Sequence, residues 1–389
     1  MRAVRIATAI GMLSAAACAD LSSGPDGDAA NLNRYVAVGS SISMGVASDG
    51  VVAESQQASW PALLAADVGV EFSLPLIASP GCRAPIVAPL LNLRRADNTL
   101  ITDAPTCAPN SPGVSLPAQN VALYGATAEA AVNGRPSTAN PLYARVLSEG
   151  QTQFSAMRAQ NPTFVSIELG ANELLPALSG LPSDANAGSF NTNYTHFTNT
   201  IRTQTSAKAL LALLPVDLRK FPAVRTSAEI ASQRTAFAAR NVAVNANCDT
   251  SPNYVTLHGK IFPTLITGAV RAAGGLGPAD LSCADVPNAR DGILTESDFA
   301  TLNAAAAQIN TIITNRAAAG NFATFSLGAL YDTAKDGVSF DLNAILASST
   351  PFGSLISLDG IHPTAAGQAV LASAAKAGII QKYGNIVSD

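Results

Sequence analysis

Charge is what this sequence has least of. Lys, Arg, Asp and Glu make up 13% of its 389 residues, where about 25% is usual. Lys plus Arg total 23 against 27 acidic residues, a net charge of -4, so the basic excess that attracts a phosphate backbone is missing and no nucleic-acid partner is expected. Histidine is limited to His196, His258 and His362. These are far apart and no H-E-x-x-H occurs, so no histidine-rich metal site is expected. G-x-S-x-G is also absent, which removes the nucleophile elbow of the α/β-hydrolases. One tryptophan, Trp60, and 5% aromatic content leave few platforms for stacking a sugar ring, and Trp60 reads as a helix-packing residue. What is present is 48% hydrophobic residues with 29 glycines and 23 prolines, a composition that excludes disorder and coiled coil and calls for a large core under a surface of Ser, Thr, Asn and Gln.

The N-terminus reads as a secretory leader. Arg2 and Arg5 precede an apolar stretch from Ile6 to Ala17, too short to span a bilayer, and Cys18 follows at once. Ala15-Ala16-Ala17-Cys18 resembles a bacterial lipoprotein processing site with Ala15 where leucine is usual, which makes Cys18 the lipidation candidate. An ordinary signal cut nearby is the alternative. Either way the expectation is export across a bacterial inner membrane, to a lipid-anchored or secreted state. The organisation expected is a signal peptide over 1–17, a polar tether over 18–31 and one domain over 32–389. No later segment approaches 18 apolar residues, so membrane contact is expected only through the anchor.

Apart from Cys18 the cysteines are Cys82, Cys107, Cys248 and Cys283, with no C-x-x-C pair. In an exported chain this argues for disulfides over zinc. Four cysteines allow three pairings; proximity favours Cys82 with Cys107 and Cys248 with Cys283, and free buried thiols are the alternative.

Along the chain, apolar runs stopped by glycine alternate with helical stretches. Arg34–Val38, Phe164–Leu169, Lys208–Val216 and Phe322–Leu327 read as strands. Ala62–Val68, with Ser59 as candidate cap, residues 143–160, Thr295–Ala319 with Thr295 and Asp298 as a capping pair, and Ala365–Ala377 read as helices. The alternation predicts a parallel sheet covered on both faces. Residues 76–119, 175–192 and 247–293 read as long irregular segments that hold all four internal cysteines.

Four short sites could carry chemistry. Asp359 precedes His362 by three residues, close enough for its carboxylate to accept the imidazole Nδ1–H and leave Nε2 as a general base. His196 and His258 have no carboxylate at such spacing and read as structural. Gly39-Ser40-Ser41 follows the first strand, where a serine at the mouth of a helix has its backbone N–H unpaired. Gly125 precedes an alanine-rich helix, and Asn172 follows the Phe164–Leu169 strand; a backbone N–H and a side-chain amide there are the donors an oxyanion needs. Each also has a plainer reading as a helix start or a cap.

Together and in this order, the sites resemble the SGNH hydrolases, also called GDSL esterases and lipases. The Gly-Asp-Ser-Leu block corresponds to Gly39-Ser40-Ser41-Ile42, the second-block glycine to Gly125, the Gly-x-Asn-Asp block to Gly170–Glu173 and the Asp-x-x-His block to Asp359–His362. Ser40, Ile42 and Glu173 depart from the pattern, although Ser40 and Glu173 can still make supporting hydrogen bonds. The resemblance implies a flavodoxin-like three-layer α/β/α sandwich, here with long disulfide-pinned loop insertions. It implies a serine hydrolase acting on short to medium acyl esters, small-molecule or lipid, with no cofactor and no metal. Ser41 is the implied nucleophile, His362 the base and Asp359 its orienting acid, and Ser41, Gly125 and Asn172 form the oxyanion hole. Polysaccharide O-acetyl groups are the rival substrate, and a non-catalytic lipid-anchored binding protein on the same fold is the rival class. The apolar stretches Leu174–Leu178 and Phe352–Ile356 flank two of these sites and suit an acyl chain.

Overall fold

A computed structural model describes residues 29–137, 140–336 and 340–387; the leader, Cys18 and most of the tether lie outside the described residues. Strands β1 (Tyr35–Gly39), β2 (Phe164–Glu168), β3 (Lys208–Leu213) and β4 (Ala323–Ser326) form one sheet in the order β4-β3-β2-β1, every pair parallel. All residues of β1 and β2 are buried, as continuous apolar runs require when helices cover both faces.

A fifth segment completes the sheet beside β1. The Ala37 N–H donates to Gln119 O, the Val121 N–H to Ala37 O and the Leu123 N–H to Gly39 O, in parallel register. In sequence Asn120–Leu123 reads only as the approach to a helix, because three apolar residues are too few to mark a strand. Counting this segment, the strands lie across the sheet in chain order 2-1-3-4-5. That is the flavodoxin-like order, whose ligand crevice opens outside the carboxyl ends of the strands where the order reverses. Here those are the ends of β1 and β2.

Helix α1 (Ser41–Met44) follows β1 directly. On the connection to the edge segment, α2 (Trp60–Asp67) packs against the C-terminal helix; on the connections through β3 to β4, the helices Phe190–Gln204 and Glu296–Gly320 pack against each other. Right-handed crossovers running in opposite directions from β1 put these two pairs on opposite faces, which makes the three-layer sandwich. The expected capping pair is formed: the Thr295 N–H donates to Asp298 Oδ2 at 2.8 Å and the Asp298 N–H to Thr295 Oγ1 at 3.2 Å. Both favoured disulfides, Cys82–Cys107 and Cys248–Cys283, are present.

Three expectations need correction. Residues 143–160 are not one helix but two short ones, Tyr143–Val146 and Gln153–Ala159, interrupted by a turn at Gly150 with φ +74°. Ser59 precedes α2 but its hydroxyl caps nothing: Pro61, at the second helical position, has no N–H to donate, and the Trp60 N–H is taken by Gln368 Oε1 at 2.9 Å. Residues 247–293 are not irregular throughout. Tyr254–Thr256 pairs antiparallel with Val224–Thr226 and with Ile293–Leu294, and Phe262–Ala273 is a helix masked in sequence by Gly268 and the β-branched Thr264, Thr267 and Val270. Among the described residues no helix is long and apolar enough to cross a membrane.

Candidate active site

The turn from β1 into α1 depends on Gly39, where a Cβ would lie 2.6 Å from Ser43 Oγ. Without that atom the chain passes straight from strand to helix and presents Ser41 as the first helical residue, its N–H unpaired as at any helix start. Three side chains from elsewhere clamp this helix. Asn120 Nδ2 donates to Ser43 O at 2.8 Å, Gln368 Nε2 to Ile42 O at 3.0 Å, and Trp60 Nε1 to Ser43 Oγ at 3.1 Å. Trp60 is fully buried and packs on Phe325, the helix-packing role expected of it.

Beneath α1 lies Glu168, the last residue of β2. Ser40 Oγ donates to Glu168 Oε1 at 2.8 Å, and the Ser40 and Ser43 N–H groups donate to Oε2, each at 3.1 Å. The serine that departs from the family pattern therefore does make a supporting bond. Burial pushes the Glu168 carboxyl up, and the hydrogen bonds only partly offset it.

Asp359 and His362 are joined directly. Asp359 Oδ2 accepts His362 Nδ1 at 2.7 Å and also the Asp49 N–H, while Oδ1 accepts the Ile361 and His362 N–H groups, each at 2.8 Å. The carboxylate thus closes its own turn and holds the proton on Nδ1, which leaves the Nε2 lone pair free. Burial raises the carboxyl pKa, but the charge and hydrogen bond of His362 outweigh it and hold Asp359 well below the carboxylate range. For His362 burial works downward, and Asp359, helped by Asp49 and Glu168, overrides it, so the imidazole is more basic than usual.

The loop after α1 is stitched to this turn: the Ser48 N–H donates to Ser357 Oγ at 2.7 Å and the Leu358 N–H to Ser48 Oγ at 3.3 Å. Ser41 and His362 are brought to the same end of the sheet by these ties; among the described residues no hydrogen bond joins the Ser41 hydroxyl to His362.

Gly125 has φ +77°, and a Cβ there would meet nothing within 4 Å, so its left-handed backbone rather than lack of room calls for glycine. Asn172 lies in a single turn, Ala171–Glu173, and its Nδ2 donates to Ala126 O at 3.1 Å instead of capping a helix. The next residue, Glu173, accepts the Ala128 N–H at 2.7 Å through Oε1, while its buried Oε2 has no partner among the described residues. Burial, with Glu168 nearby, pushes this carboxyl up to about 7.

Gly125, Asn172, Asp359 and His362 line one cleft of about 610 Å³. Leu175, Pro176 and Leu178 form its apolar side, as expected of Leu174–Leu178, but Phe352–Ile356 is not among its lining residues. Phe352 is buried elsewhere, against Arg225. The opposite side holds groups that sequence reasoning missed. Asp49 binds Arg83 at 2.7 Å and Arg95 at 2.6 Å, and Tyr124 Oη donates to Asp49 Oδ1 at 2.8 Å. His258, read from sequence as structural, lines the cleft with its Nε2 2.8 Å from Asp359 O. His196 is instead packed on Phe154, outside the cleft lining. None of the missed residues sits in a local motif. Only Glu168 carries a signal, as an acid inside a continuous apolar run.

Among solved structures the chain is similar to an extracellular lipase from Streptomyces rimosus, at 15% identity and TM-score 0.38 over 91% of this chain and all of that one. It is similar also to phospholipase A1 from Streptomyces albidoflavus, at 16% identity and TM-score 0.38 over 91% of this chain and 99% of that one. A third likeness is to the acetylxylan esterase Axe2 from Geobacillus stearothermophilus, at 10% identity and TM-score 0.37 over 92% and 99%. No curated protein matches the sequence significantly. The model of the GDSL-like lipase/acylhydrolase family matches residues 35–375, nearly the whole chain. The chain belongs to that family and is an ester hydrolase.

Proposed function

We propose that the protein hydrolyses short to medium acyl esters through an acyl-enzyme formed on Ser41. Ser41 Oγ attacks the ester carbonyl while His362 Nε2 takes its proton, and Asp359 stabilises the imidazolium that results. The oxyanion is held by the Ser41 and Gly125 N–H groups and by the Asn172 amide, whose second hydrogen is not engaged by Ala126. Collapse expels the alcohol with the proton from His362; a water deprotonated by the same imidazole then releases the acid and restores Ser41. The observation that carries this reading is the 2.7 Å Asp359–His362 bond in one cleft with Gly125 and Asn172. The wall of Leu175, Pro176 and Leu178 supports an acyl chain as the group bound there.

The same reading takes residues 32–389 as one domain behind an exported leader and a tether. Two disulfides support an oxidising compartment, and the lipid anchor at Cys18 rests on the leader pattern. Labelling with a fluorophosphonate, which reacts only with an activated serine, tests the mechanism. Wild-type protein is expected to label and to cleave a p-nitrophenyl ester, and Ser41→Ala to do neither; undiminished turnover by Ser41→Ala would refute the assignment.

A further inference from the structure

The cleft contains a cation that the ester chemistry does not use. Arg83 lines it beside Tyr124 and His258, with 30% of its side chain exposed. Among the described residues, the hydrogen bonds of its side chain all run through one nitrogen: Nη1 donates to Asp49 Oδ1 at 2.7 Å, to Asp49 Oδ2 at 2.9 Å and to Tyr124 Oη at 3.3 Å. Among the described residues nothing accepts from Nε or Nη2, so one edge of the planar fork has no protein partner. That edge is the one guanidinium offers to a carboxylate or phosphate in two-point recognition.

Its carboxylate partner is shared. Asp49 and Asp359 are the acids that line the cleft. Asp359 is committed to His362, and Asp49 is shared with Arg95, which is buried and donates to it from Nη2 at 2.6 Å. Two guanidinium groups thus share the Asp49 carboxylate, and Arg83 is the one of the two that reaches the cleft.

The group is also held in place. Its backbone carbonyl accepts the Val51 N–H, and its neighbour Cys82 is bonded to Cys107. It is near the chemistry too, because the Arg83 guanidinium lies 5.8 Å and the His362 ring 5.9 Å from the same Tyr124 ring centroid.

We propose that Arg83 anchors an anionic substituent, phosphate or carboxylate, on the ester substrate, so that the enzyme selects amphiphilic esters whose acyl chain lies along Leu175, Pro176 and Leu178. This rests on the esterase reading of the same cleft and deepens it. The test compares kcat/KM for 1,2-dibutyroylglycerol with that for its 3-phosphate, in wild type and Arg83→Gln, with thermal melting to confirm folding. Wild type is expected to favour the phosphate about tenfold or more, and Arg83→Gln to lose that ratio whatever its absolute rates. If Arg83→Gln is unfolded, Arg83→Lys, which keeps the charge facing Asp49 but not the fork, is expected to lower the ratio at least threefold.

Vesicles of a long-chain phosphatidic acid separate the two sources of the anion. Arg83-dependent turnover there identifies a lipid headgroup, and its restriction to the short-chain phosphate identifies a soluble ester; each result supports the site. Equal turnover of both glycerides by wild type, or an unchanged ratio in a folded variant, overturns it. Failure to cleave either ester together with failure to label by fluorophosphonate refutes the esterase reading instead.

Discussion

Two regions around the cleft are built differently. On the side made by the strand ends, the polar groups are tied to backbone: Asp359 takes the N–H groups of Asp49, Ile361 and His362, Glu168 takes those of Ser40 and Ser43, and Asn120 and Gln368 hold the carbonyls of α1. On the side made by residues 82–102, backbone bonds to the neighbouring loop at Ser48 and Val51 are supplemented by side chains, with Arg83 and Arg95 closing on Asp49 beside the Cys82–Cys107 bridge. Backbone ties inherit the register of the sheet and leave little freedom. Ion pairs and a covalent staple fix a loop that has no strand partner in that sheet. The first side therefore suits groups that must be placed to within a fraction of an ångström for catalysis, and the second suits recognition.

Breaking the first side should cost most. Asn172→Ala is expected to lower kcat by about 10² to 10³ with little change in KM, the loss typical of one oxyanion donor. Kinetics and thermal unfolding on the same variant check it; a destabilised but fully active enzyme would remove Asn172 from the oxyanion hole.

The disulfides separate the two regions further, because their sequence separations of 25 and 35 residues differ by only about 0.3 kcal/mol in loop-closure entropy. Each double alanine variant should lose about 2 to 4 kcal/mol of stability. Their effects on catalysis should diverge. Removing Cys82–Cys107 frees the loop in which Arg83 directly follows Cys82 and is expected to lower kcat/KM roughly tenfold, whereas removing Cys248–Cys283, whose loop carries the lining residues Thr256, His258 and Gly259 but is also held by the pairing of Tyr254–Thr256 with two other strands, should change it less than about threefold. Matching losses of activity in the two variants would contradict the division between the two sides.

The smallest effect is conditional on pH. Glu168 and Glu173 are both buried, but Glu168 accepts three hydrogen bonds and Glu173 one. With its folded-state pKa raised to about 7, Glu173 favours folding while protonated; that contribution is fully present below the ordinary carboxylate range and lost as pH rises through 7. Glu173→Gln keeps an oxygen to accept the Ala128 N–H and cannot ionise. It is expected to raise stability by up to about 3 kcal/mol at pH 8 and by little near pH 4.5. Melting curves at both pH values check this, and a pH-independent difference would mean that Glu173 is not the titrating group.

The features legible along the chain are local. The alternation of strand and helix, the Thr295–Asp298 capping pair and the Asp359–His362 bond all join residues within a turn or belong to a continuous apolar run. Spacing along a chain of known helical and strand geometry settles such contacts before any packing. Both disulfides join cysteines nearest in sequence, so they too were legible. The Gln119–Leu123 edge segment, the bond from Ser40 to Glu168, the Arg95–Asp49 pair and the place of His258 beside Asp359 were decided by tertiary structure. These last three contacts span 128, 46 and 101 residues. Such contacts exist only after β1 has paired with β2 and the loops have closed over their ends. No short window of sequence contains both partners, and single residues such as Asp49, Arg83 and His258 carry no mark of the neighbours that folding assigns them.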